Sequence, residues 1–140
     1  MAEPADEIQE LLRVLLPHAE RLLNEQGEFY PYAMALEADG TIEPVPPDIQ
    51  TADPDVGDVL VALHEGLRSQ AAEGSIRASG IAADVTLTDP ESGETMDAVQ
   101  LELDHADADP VDIYVPYETA GDGVKFGERV AAEGREPVFS

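Results

Sequence analysis

Residues 104–112 read Asp-His-Ala-Asp-Ala-Asp-Pro-Val-Asp, the densest run of metal-type ligands in the chain. Alternating carboxylates on a turn suit hard cations such as Ca²⁺ or Mg²⁺, which take oxygen ligands. The run lacks the central glycine and distal glutamate of a helix–loop–helix calcium site. With acids abundant everywhere it reads as a solvated hairpin tip, and no metal site is assigned. The three histidines, His18, His64 and His105, lack partner motifs. His64-Glu65 would open a zinc helix motif only with a second histidine at position 68, where Arg68 stands. Each histidine is therefore expected to be structural. No serine occupies a G-x-S-x-G elbow, and there is no cysteine to act as nucleophile or thiolate ligand. Gly121-Asp122-Gly123 with Gly127 is no phosphate loop: no helix follows, and an aspartate sits where phosphate would. No catalytic or cofactor-binding residue and no cofactor can be named.

The aromatic residues are better candidates. Tyr30, Tyr32 and Tyr114 fall on expected strands, and if the first and last of these were neighbours the three would share one sheet face. Tyrosines combine apolar area with a polar tip, which suits a ligand or partner face. The competing expectation is that the first helix packs over them.

Charge limits the partners. Thirty-one Asp plus Glu stand against seven Lys plus Arg, a formal charge of −24. Nucleic-acid binding rests on cationic neutralisation, so nucleic acid and anionic membranes are both unexpected. Such a surface repels itself, and added salt should stabilise the compact state by screening beyond about 8 Å. Adaptation to a salt-rich cytoplasm is one reading, a GC-rich codon bias another, and a basic protein partner a third. The start MAEPADE has no apolar core and is not expected to be a secretion signal, and the longest apolar run is only residues 59–63. A cytoplasmic location is the default expectation.

These residues must be positioned by a small set of elements. Residues 6–26 carry Ile8, Leu11, Leu12, Leu15, Leu16, Ala19, Leu22 and Leu23 at helical spacing, ending at Gly27. Pro17 should kink or split that helix. Residues 28–37 are apolar on both faces, as in a strand covered on both sides. Asp39-Gly40 signals a hairpin, and residues 41–45 form its return strand. The proline-rich residues 44–53 form a loop, and Asp53-Pro54 looks like a helix start. Val56, Val59, Leu60, Leu63 and Leu67 make its buried stripe, closed by Gly74. Residues 76–88, 95–104 and 111–117 alternate with period two and read as a three-strand meander with one wet face, carrying Gln100, Glu102 and Asp104. Short strands are expected at 124–127 and 137–139.

The expected fold is one domain over 1–140. It is α+β, ordered α-β-β-α-β-β-β, with two main helices on an antiparallel sheet of about five strands. The strand order 2-1-5-4-3 of profilin-like and PAS-like architectures is compatible with it. Residues 27–45, GEFYPYAMALEADGTIEPV, with the meander over 95–117 whose last strand reads VDIYVPYE, resemble a family of uncharacterised bacterial proteins. The resemblance rests on hairpin and strand features and implies no functional residue. The expected function is a non-catalytic acidic binding or regulatory domain acting on proteins. The alternatives are an immunity-type inhibitor neutralising a basic toxin or nuclease, and a carboxylate-dependent enzyme, which a buried, elevated carboxyl in a cleft would mark.

Overall fold

The computed structural model describes residues 3–47, 55–120 and 123–133. The described elements run α1 (Pro4–Gln26), β1 (Tyr32–Glu37), β2 (Ile42–Val45), α2 (Val56–Glu73), β3 (Ile76–Thr88), β4 (Thr95–His105), β5 (Ala108–Ala120), β6 (Gly123–Phe126) and β7 (Val130–Glu133). The strands form one antiparallel sheet in the order β2-β1-β3-β4-β5-β6, and β7 also pairs with β5. Among the described residues the α+β class and the two helices match the sequence, and the sheet has seven strands rather than about five.

The expected order 2-1-5-4-3 is not adopted. Strand β1 pairs with β3, with Tyr32 opposite Ala82 and Leu36 opposite Ala78. Period-two alternation says which face a residue occupies, not which strand lies beside it. β6 and β7 lie end to end along the outer edge of β5, opposite 117–120 and 111–114 respectively. The Gly127 amide donates to Pro116 O at 2.7 Å where they meet.

Helix α1 covers one face. Leu11, Leu12, Leu15, Leu16, Ala19 and Leu23 pack on Leu36, Ala78, Ala82, Val99, Leu101, Leu103 and Val115. The helix runs on through Pro17 instead of splitting. Proline removes one bond to the residue 13 carbonyl, but burial of Leu15, Leu16 and Ala19 on either side holds the helix together. Gly80 lets α1 approach: a Cβ there would overlap Leu15 Cδ1 and lie 3.0 Å from Leu103 Cδ2.

Helix α2 crosses the opposite face. Val59, Leu63 and Leu67 pack on Ala33, Ala35, Val45, Ile76 and Ile81. β1 is thus covered on both sides, as its doubly apolar sequence requires. Val56 is 45% exposed and leaves the expected stripe. The capping residue is Asp55, whose side chain accepts from the Asp58 amide at 2.8 Å while Asp58 accepts from the Asp55 amide at 3.2 Å. The expected start at Asp53-Pro54 and the expected strand at 137–139 lie outside the described residues. The hairpin at Asp39-Gly40 forms, with Gly40 at φ 97° and the Thr41 amide donating to Asp39 Oδ1 at 2.9 Å.

The second face is not simply wet. Asp104 and Asp112 are 4% and 3% exposed. They share that face with Glu102, which lies 3.2 Å from His64 Nε2 of α2. The polar alternation expected to meet solvent partly meets a helix bearing polar groups.

A candidate cation-receiving cleft

Two groups of titratable side chains serve the architecture. Glu7, 6% exposed, accepts from His105 Nε2 at 2.8 Å and from Arg77 Nε at 2.8 Å, with a further bond from Arg77 Nη2. The Asp107 amide donates to His105 Nδ1 at 3.0 Å, which leaves the ring proton on Nε2 to face Glu7. Arg77 Nη1 also donates to Ala38 O at 2.8 Å. Burial raises the Glu7 carboxyl, but the His105 and Arg77 bonds and charges outweigh it, and the group sits below its ordinary range. The cluster pins the start of α1 to β3 and β4. On the other face His64 Nδ1 donates to Leu60 O at 2.9 Å while Nε2 meets Glu102, which ties α2 to β4. His18 Nδ1 accepts from Arg21 at 2.9 Å and its ring stands edge-on to Tyr32 at 4.8 Å. All three histidines thus hold structural contacts. Among the described residues no three His, Asp or Glu side chains are arranged to hold a metal ion.

The three tyrosines do not share a face. Tyr32 lies beneath α1, its hydroxyl donating to Leu15 O at 2.5 Å. Burial raises its phenol above the ordinary value. Tyr114 is on the opposite face, beside Gln100 at 3.4 Å. Tyr30 precedes β1 and is 64% exposed. The strand order separates them, since β3 and β4 stand between β1 and β5. Helix α1 does pack over Tyr32, while Tyr30 stays exposed.

Tyr30 stands at a cleft of about 310 Å³ lined by Gln26, Glu28, Phe29, Val56 and Asp84. The cleft forms where α1 hands over to β1, beside the start of α2 and the far half of β3. Gly27, in the left-handed region at φ 80°, ends the helix and turns the chain into it. Tyr117 Oη donates to Asp84 Oδ1 at 2.6 Å. Asp97 is directly opposite both Thr86 and Tyr117, and so stands beside this pair.

Burial is the largest influence on Asp84 and raises its carboxyl. The Tyr117 bond and a backbone bond from Phe29 pull it down, but the charges of Asp97 and Glu28 push it up, and it sits above its ordinary range. Tyr117 is raised too, by its own burial first and then by Asp84. No Lys, Arg or His lines the cleft among the described residues. Carboxylates that repel one another beside an exposed aromatic ring can receive an ammonium or guanidinium group, through charge and through the ring face. Sequence reasoning missed this site. Asp84 reads as one more polar position on an alternating strand, and only tertiary packing brings Glu28 and Asp97 toward it. Comparison with known protein families, curated proteins and solved structures finds no match to this chain.

Proposed function

We propose that the protein is a non-catalytic binding domain whose Asp84 cleft receives a basic side chain of a protein partner. The observation that supports this most is the placement of Glu28 and Asp97 about Asp84, whose carboxyl is held above its ordinary range by burial first and by these two charges after it, with no cation lining the cleft among the described residues. A partner's cation would relieve that repulsion, and Tyr30 would cover it. The charge of −24 adds long-range attraction, which speeds encounter with a basic protein. A neutraliser of a cationic toxin or nuclease is the narrower form of the same reading.

The test is titration of the protein with labelled Arg- or Lys-containing peptides by fluorescence anisotropy. Asp84→Asn and Glu28→Gln should each weaken binding about tenfold, the equivalent of ~1.4 kcal/mol for a lost charge-assisted contact. Asp89→Asn, on an exposed hairpin tip, should not. Equal losses at positions 84 and 89 would show that bulk charge alone attracts the peptide, and the cleft reading would fall.

The elevated Asp84 also favours a carboxylate-dependent enzyme as a second reading, since a general acid needs such a group beside a cleft. Turnover in a broad metabolite screen, abolished by Asp84→Asn, would favour that reading over the first.

A further inference from the structure

Cations are scarce enough here that their placement carries information. Six of the seven Lys and Arg residues are described; Arg135 is not. Arg77 bonds Glu7, Arg21 bonds His18, and Arg68 has an interaction of its own. Among the described residues the side chains of Arg13, Lys125 and Arg129 have no ion pair or hydrogen bond, although acids outnumber cations more than fourfold. All three gather around Phe126. Arg13 and Arg129 line a groove of about 250 Å³ with Phe126 between α1 and the end of β6. Lys125 lines a shallow depression that Phe126 also borders.

The groove has the two parts a small amphipathic anion needs. Its floor is apolar, built from Leu12, Leu16 and Phe126. Its polar groups are the two guanidinium forks, Gln9 and the Glu20 carboxylate, so the guanidiniums leave the lining with one net positive charge. The side of α1 that supplies it repeats at positions 9, 12, 13, 16, 17 and 20, one stripe of a 3.6-residue helix. Tethering of β6 to the helix, with the Val124 amide donating to Asn24 Oδ1 at 2.9 Å, helps set its width. Two guanidiniums held around one groove repel each other, and a carboxylate between them removes that cost while pairing with a fork.

We infer that this groove binds a small organic monocarboxylate with an apolar body, at a site separate from the Asp84 cleft. The volume is below the roughly 300–1,000 Å³ usual for drug-sized ligands, so the body must be short. Glu20, which also lines the groove, opposes a second negative group, which selects a monoanion over a dianion.

The probe is phenylacetate, titrated into the ¹⁵N-labelled protein and followed by amide and arginine Nε–H shifts. Acetate supplies the charge without the body, and benzyl alcohol the body without the charge. The expected result is saturable shifts confined to residues 9–20 and 123–130. Both controls should bind at least fivefold more weakly. Arg13→Gln and Arg129→Gln, each an exposed side chain whose loss leaves the melting temperature in place, should each weaken phenylacetate at least fivefold. Absence of shifts, shifts centred elsewhere, or affinity unchanged in both variants would overturn the inference. Acetate binding as well as phenylacetate would overturn the apolar half of it.

Discussion

Replacing Glu7 with alanine should destabilise the protein by about 3 kcal/mol, a figure that follows from what each partner loses. His105 Nε2–H would be left without its acceptor on a side chain only 2% exposed, a desolvated donor that costs about 1–3 kcal/mol. Arg77 is 38% exposed at its side chain. Water replaces much of what it loses, so its share is discounted to at most ~1 kcal/mol. The one buried methylene that is lost adds about 0.8 kcal/mol. At this chain length the sum lowers the melting temperature by about 10 °C. Urea unfolding at pH 7 in 1 M KCl, followed by circular dichroism, measures it. Glu10→Ala, an exposed neighbour on the same helix, should stay within about 0.5 kcal/mol of the parent. The ionic part of the effect has a defined pH course. Folding lowers the Glu7 carboxyl below its ordinary 4.5. Its contribution is therefore complete above the unfolded value and lost as pH falls through the lower folded value. A Glu7→Ala loss below about 1 kcal/mol at pH 7 would refute the account of this cluster as a pin between α1 and the sheet.

Other substitutions and conditions probe separate parts of the structure. Gly80→Ala should cost about 1–3 kcal/mol, because its new methyl overlaps Leu15 and crowds Leu103; a neutral result in urea unfolding would mean α1 can lift without loss. Asp84→Asn should stabilise the protein at neutral pH. The folded carboxyl is raised, so its ionised form opposes folding once pH exceeds the ordinary value of 3.8. The gain should fade as pH falls back toward 3.8, and melting curves at pH 4 and 7 would expose a wrong sign. With a net charge of −24, melting temperature should rise with KCl into the molar range; a flat or falling curve would argue against self-repulsion as a governing term.

Helical stripes, glycine caps and period-two alternation make both helices, the first hairpin and the meander legible in the sequence. Each of those signals is local. Strand order is not local, and the expectation that β5 would flank β1 failed there, taking the shared tyrosine face with it. The same limit hid the Glu7 cluster, whose partners lie 70 and 98 residues away. Glu7 alone reads as an ordinary acid in the first turn of a helix. Asp104 and Asp112 sat on the alternation expected to face water, yet both are buried, and their neighbour Glu102 meets His64 of α2, a helix crossing that no periodicity encodes. Asp84 was hidden for the opposite reason: in a chain this acidic, one carboxylate on a strand has nothing to distinguish it until its neighbours are known.

The end-to-end placement of β6 and β7 along β5 bears on how the chain is made. During synthesis the thirteen residues of β5 emerge before the two short strands that cap its outer edge. Until those follow, a nascent chain offers an unguarded row of amides and carbonyls to any neighbouring polypeptide. A chain truncated after residue 120 should therefore be prone to intermolecular pairing, and extending it through residue 133 should silence that tendency.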